Sequence, residues 1–294
     1  MNIDFLHIGL HKTASTWLQK VVFDNHPDLL VFQPATRIKN SHKIISDIYR
    51  APSGQFQPDR WWDDFNRETE GVKVAGKTVG ISYEILAGDM IHGRDAMTIT
   101  RRCKKLFGSV KAILVLRHPV DFVNSMYQQY VVQGGAFTLQ QLVQDKTIPG
   151  KDICYKLNYQ ALVTMLREEY GENKLLVLPF ELMRLDRYAF LRHIWTFLEV
   201  AEPEGLDADV QVRESVSLPA LKLQRALNAA GIPMQQTRGR IRRLDARLLS
   251  KIFHSKYKVT RTDLVRWQPL LEEVLVDENY RLWKDELGGF NYVF

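Results

Sequence analysis

The chain opens with a short apolar run, Ile3 to Ile8, that stops at Gly9. Four to eight apolar residues bounded by a glycine read as a strand buried on both faces. From about Ser15 to Phe23 the spacing changes: Trp17, Leu18, Val21 and Val22 recur as the inward stripe of a helix does. Strand, glycine turn and helix form the first half of a βαβ unit. Further strands are predicted at Leu29–Phe32, Thr78–Tyr83, Val110–Leu116 and Lys174–Leu178. Helices are predicted around Trp61, Trp62 and Phe65, after a Pro/Ser/Gly loop at 51–58, and over about Lys156–Tyr170. Beyond residue 200 strand signals fade, and Leu218–Ala230 and Leu270–Leu287 read as helical. Alternation of strands and helices predicts an α/β chain, a central parallel sheet flanked by helices, with a helical C-terminal portion at about 201–294. With no internal repeat or low-complexity stretch, 1–294 reads as a single domain.

Composition sharpens this only slightly. Hydrophobic residues make up 45% and charged residues 25% of the chain, enough for a large core without metal or disulfide staples. Cys103 and Cys154 lie far apart and outside any CxxC pattern, which fits a reducing compartment and argues against structural zinc. The start, Met1-Asn2-Ile3-Asp4-Phe5, lacks the basic and long apolar regions of a signal peptide, and no run approaches a membrane span. A cytoplasmic location is expected, with peripheral membrane contact left open. The net charge of +6 suits anionic ligands, but no nucleic-acid-binding motif accompanies it.

Two blocks carry candidate chemistry. The first is Gly9-Leu10-His11-Lys12-Thr13-Ala14-Ser15-Thr16-Trp17-Leu18. A turn between a buried strand and a helix start offers unpaired N–H groups to an anion, to which Lys12 adds charge and Thr13, Ser15 and Thr16 add hydroxyls. His11 stands where a Walker loop has its second glycine, which disfavours an ordinary ATPase. A polar cap on a core helix is the plain alternative. In the second block, Arg117 follows the apolar run Leu114-Val115-Leu116, Pro119 suits a first helical turn, and Ser125 lies further along that helix. Read alone, Arg117 fits a phosphate fork or a surface ion pair equally well.

Taken together, the blocks resemble the sulfotransferases that use 3′-phosphoadenosine 5′-phosphosulfate (PAPS). Lys12-Thr13-Ala14-Ser15-Thr16-Trp17-Leu18 is similar to that family's KxGTTxL loop, with Ala14 where glycine is usual. Arg117, Pro119, Ser125 and Tyr127 match each fixed position of its RxPxxxxxSxY motif, more than a hundred residues further on. Leu175–Leu182 and Arg213–Ser217 resemble later segments, and the whole looks most like the bacterial carbohydrate- or lipid-directed branch.

The resemblance implies a P-loop-like sulfotransferase fold and in-line sulfuryl transfer without a metal. Lys12, Thr13, Ala14, Ser15, Thr16 and Trp17 would hold the 5′ end of PAPS, and Arg117 and Ser125 its 3′-phosphate. Arg238 and Arg240, in the basic run 238–243, would approach the same phosphate or form a solvated helix start. Lys12 would stabilise the leaving oxygen, and Glu84, His42 or His11 would be the general base. The product would be 3′-phosphoadenosine 5′-phosphate (PAP). The acceptor would be a hydroxyl or amine of a carbohydrate, lipid or small molecule. Two rivals remain: an ATP-dependent kinase or nucleotide-binding enzyme, and a nonenzymatic polyanion-binding protein. Trp61, Trp62 and Phe65 would be core or a sugar-stacking wall.

Overall fold

The computed structural model describes residues 1–10, 12–34, 41–52, 54–88, 95–144, 159–209 and 218–231. The chain forms two compact units, one holding described residues 1–118 and 159–209, the other 119–144 and 218–231.

The first unit is built on a five-stranded parallel sheet of order β2-β3-β1-β4-β5. Its strands are β1 (Phe5–Gly9), β2 (Leu29–Phe32), β3 (Thr78–Tyr83), β4 (Lys111–Leu116) and β5 (Leu175–Pro179). β1 lies at the centre and is buried at every position, as its largely apolar run requires. Phe5, Ile113 and Val115 face one way, into a cluster with Trp17, Leu18, Val22 and Phe23. Leu6, Ile8, Ala112 and Leu114 alternate to the opposite face and are buried there too. Gly80 of β3 has no side chain because the Phe5 ring lies where a Cβ would stand. Each strand begins or ends within two residues of its sequence-predicted limit.

Around the sheet run α1 (Ser15–Trp17), α2 (Ser41–Arg50), α3 (Pro58–Glu68) and α4 (Ala96–Phe107). α1 widens into a π-type turn at Leu18–Val22 and then tightens at Phe23–Asn25. After α4, the second unit contributes α5 (Pro119–Val132) and α6 (Leu139–Gln144), and the first resumes with α7 (Tyr159–Tyr170), α8 (Phe180–Leu185) and α9 (Arg187–Leu198). The face of α9 made by Phe190, Leu191, Ile194, Trp195 and Leu198 completes the cluster below α1. His26 fastens the two ends of this layer: its Nε2 meets the Ala201 carbonyl at 3.0 Å and its ring packs 4.6 Å from Trp195.

Trp61 and Phe65 are core residues, stacked 4.9 Å apart and packed on Phe107 and Phe32. Trp62 completes the cluster and donates its indole N–H to the Leu106 carbonyl. Arg102, buried on α4, donates to the Ile48 and Ala51 carbonyls and so closes the C-terminal end of α2. In the second unit, α10 (Leu218–Ala229) packs on α5, with Asn228 donating to the Val131 and Gly135 carbonyls. No helix among the described residues is long and apolar enough to cross a membrane.

Candidate functional site

The sheet order brings the C-terminal ends of β3, β1 and β4 side by side. Ile8 is in register with Tyr83, and Gly9 with Val115. The first strand connects outward to β2 across β3, and the later strands add on the other side, so this edge is where α/β sheets form their ligand crevice. Lys12, Glu84 and Arg117 all follow these strand ends.

The loop after β1 has an unusual backbone. Lys12 has φ 68° and Ala14 has φ 61°, both in the left-handed region that side chains avoid. Their strain is offset by bonds inside the loop. Thr13 Oγ1 donates to the Leu10 carbonyl at 2.7 Å, and Ser15 Oγ reaches the same oxygen at 3.5 Å. Thr13 and Ser15 are buried, so their hydroxyl protons serve the loop, while Thr16 stays half-exposed. The Ala14 carbonyl accepts from Trp17 N and Leu18 N and starts α1, with no side chain among the described residues capping the helix. Trp17 itself points into the core at 5% exposure. Gly9 is required by close approach: a Cβ there would stand 2.5 Å from Ser15 Oγ and 3.3 Å from His7 Cε1.

Arg117 sits one residue past β4 and reaches back to this loop. Its Nη1 donates to the Lys12 carbonyl at 3.0 Å, and its guanidinium lies 4.7 Å from the centre of the Phe180 ring. The chain around it is held by two neighbouring helices, α7 and α8. Tyr159 Oη donates to the Arg117 carbonyl at 3.0 Å, and Glu181 Oε1 accepts from His118 N at 2.9 Å. Burial pushes the Tyr159 hydroxyl pKa well up, and the nearby Glu181 charge adds to it, so this donor stays protonated.

Glu84 begins the short 3₁₀ turn Glu84–Ala87 that follows β3 and is half-buried. Below it lies a polar cluster that the strand pattern hides. His7 Nδ1 is 2.7 Å from Ser82 Oγ, and Gln19 Nε2 donates to both the Ser82 hydroxyl and carbonyl at 3.1 and 3.0 Å. Burial lowers the His7 pKa to about 4, against the opposing pull of the Glu84 charge. His7 and Ser82 sit inside strand segments that read as apolar, and Gln19 inside a helical stripe. The interruption of each apolar run by a polar side chain is the signal that points to them.

Ser125 is buried on α5, which begins at Pro119 as expected, and Tyr127 Oη of the same helix donates to the Phe137 carbonyl at 3.4 Å. Both belong to the second unit. His42 falls in the first turn of α2, with its side chain outside the described part. His11, Arg238, Arg240, the Arg213–Ser217 segment and the helix expected at 270–287 lie outside the described residues.

No protein-family model matches the chain, and no curated protein matches it in sequence. Solved structures do match. A sulfotransferase from Alicyclobacillus acidocaldarius aligns over 79% of this chain and 94% of its own, at 18% identity and a TM-score of 0.54. The sulfotransferase domain of a Synechococcus olefin synthase aligns over 88% and 96%, at 15% identity and a TM-score of 0.44. A mouse sulfotransferase complexed with PAP aligns over 95% and 85%, at 13% identity and a TM-score of 0.44. The Alicyclobacillus match carries the comparison: with its central parallel sheet and loop-bearing first strand, this chain has the α/β fold of a sulfotransferase.

Proposed function

We propose that the protein is a sulfotransferase that moves a sulfuryl group from PAPS to a hydroxyl or amine of an acceptor. The observation that carries this reading is the contact between its two motif blocks. Arg117 and Lys12, 105 residues apart, meet at 3.0 Å at the ligand edge of the sheet. This is the juxtaposition that the two-motif reading expects.

The residues fit the donor. The left-handed backbone at Lys12 and Ala14 is of the kind from which successive N–H groups form an anion seat, and Lys12 would bring a full charge to it. The hydroxyls of Thr13 and Ser15 hold the seat's shape, and Thr16 and the backbone N–H groups supply donors to the ligand. Arg117 and Ser125 are assigned to the 3′-phosphate, with Arg238 and Arg240 as further contacts. PAPS would supply the activated sulfuryl group. Lys12 would stabilise charge on the departing 5′-phosphate oxygen. Glu84 is the preferred base for the acceptor proton because it leaves β3 at the same edge, with His42 and His11 as alternatives. Acceptors of the carbohydrate, lipid or small alcohol classes suit this chemistry. A cytoplasmic enzyme made of one functional domain is the simplest setting.

The test is calorimetric titration with PAP, AMP and ATP, with Arg117→Ala alongside. The reading expects PAP to bind at least about tenfold tighter than AMP or ATP and the variant to lose that margin. Equal affinity for the three nucleotides would sink it.

A further inference from the structure

We infer that His7 is a positioning residue for the anion loop, acting through Ser82 and Gln19 to brace both ends of a strained turn. The inference rests on the sulfotransferase reading of that loop.

The loop needs a brace. Non-glycine residues in the left-handed region persist only where their surroundings over-determine them. Here Lys12 and Ala14 do so within three residues. Bonds from Thr13 and Ser15 to Leu10 and from Arg117 to the Lys12 carbonyl hold the middle of the turn, and the Ala14 carbonyl starts α1; what ties its entry on β1 to its exit is a separate contact.

His7 reaches both. At the entry, its Cε1 lies within 3.3 Å of the point where a Cβ on Gly9 would stand, and Ser15 Oγ presses on the same point. At the exit, Gln19 stands one turn beyond Ser15, in the π-type widening Leu18–Val22. Wide turns of this kind occur often at functional sites. Both amide protons of Gln19 go to Ser82, one to its carbonyl and one to its hydroxyl oxygen. The Ser82 hydroxyl in turn shares a hydrogen bond with His7 Nδ1 at 2.7 Å. The chain His7–Ser82–Gln19 thus joins the strand that enters the loop to the helix that leaves it.

The cost of this arrangement also marks it. His7 is fully buried, and its Nε2 has no hydrogen-bond partner among the described residues. A leucine would fill such a strand position without burying an unmatched polar nitrogen. The imidazole stays neutral because burial holds its pKa near 4. It therefore does not titrate where enzymes of neutral compartments work.

The experiment measures AMP and PAP affinity by calorimetry for wild type, His7→Leu, His7→Asn and Gln19→Met, each below its melting temperature. Asparagine places a hydrogen-bonding amide atom where Nδ1 stands, and leucine does not. His7→Leu should weaken AMP and PAP alike, by about tenfold, because the loop holds the 5′-phosphate that both share. His7→Asn should recover most of that loss, and Gln19→Met should repeat it with His7 and Ser82 intact. A change of global stability alone leaves the affinity of folded protein unmoved. If His7→Leu does not fold, Gln19→Met and the asparagine variant decide. Wild-type affinity in both His7→Leu and Gln19→Met, or asparagine no better than leucine, would overturn the inference. A wild type that binds neither nucleotide would overturn the sulfotransferase reading on which it stands.

Discussion

Arg117 donates from Nη1 to the carbonyl of Lys12 across 3.0 Å, so the two residues with the strongest claim on an anion are also bonded to each other. The same guanidinium lies over Phe180. Planarity, charge and a fork of donors all come into play at this position. Lysine shares only the charge. Arg117→Lys should therefore lower PAP affinity about tenfold in calorimetry and shift AMP affinity much less.

Ala14 occupies a backbone region that costs an L-residue about 1–2 kcal/mol and glycine almost nothing. Glycine also loses more freedom on folding, which takes back part of that gain. Ala14→Gly should still stabilise the protein by about 0.5–1 kcal/mol in urea unfolding, with nucleotide binding kept. A β-branched replacement, Ala14→Val, should destabilise it.

Burial of neutral His7 makes stability depend on acid. Its folded pKa, about 4, lies below the ordinary histidine value of 6.5. Between those values the unfolded chain binds more protons, so stability is fully present above pH 6.5 and falls as pH drops toward 4. From about pH 7 to about pH 5 wild type should lose about 2 kcal/mol more than His7→Asn, read from urea midpoints at the two pH values.

Cys103 is buried on α4, and desolvation pushes its thiol pKa up to about 12. Thiolate is the reactive form, so iodoacetamide at about pH 8 should leave Cys103 unmodified in the folded protein and label it in urea. Peptide mass spectrometry reads both states.

Asp95 caps α4, its carboxylate accepting from the Met97 and Thr98 N–H groups at 3.1 and 3.0 Å. Partial burial works against the charge, and the bonds from Thr98 and Met97 outweigh it and lower the pKa. This stability is present above the ordinary aspartate range and is lost as pH falls through the lowered value. Asp95→Ala should cost about 1 kcal/mol at neutral pH in urea unfolding.

The strands are legible in the sequence because each is a short apolar run with a clear stop. Leu29–Phe32 and Thr78–Tyr83 match residue for residue, since the sheet buries them on both faces and tolerates few polar intrusions. α2, α4, α6 and α8 have no such announcement. α2 and α4 are amphipathic, a helical pattern that is passed over when apolar runs are followed, and α8 follows β5 with no turn residue between them. In the site, the spacing of residues locates Lys12, Glu84 and Arg117 at strand ends, as alternating strands and helices require. It does not tell that the Thr13 and Ser15 hydroxyls turn inward, or that Trp17 belongs to the core. Those outcomes depend on backbone angles, of which the only hint in the letters is Ala14 standing where the resembling loop has glycine. The His7–Ser82–Gln19 cluster escapes a reading along the chain for a related reason: its members come from three separate segments, and the sheet register places His7 beside Ser82.

The central place of β1 has a consequence for exchange with solvent. The strand that carries the loop is flanked on both sides, by β3 and by β4. Its amides can meet deuterium only when the sheet itself comes apart, whereas the loop beyond Gly9 lies outside the sheet's hydrogen-bond ladder and can open on its own. Within a few residues, protection should fall from that of the whole fold to the lower level of a local opening. A bound nucleotide would register as slowed exchange on the far side of that boundary, with little change on the near side.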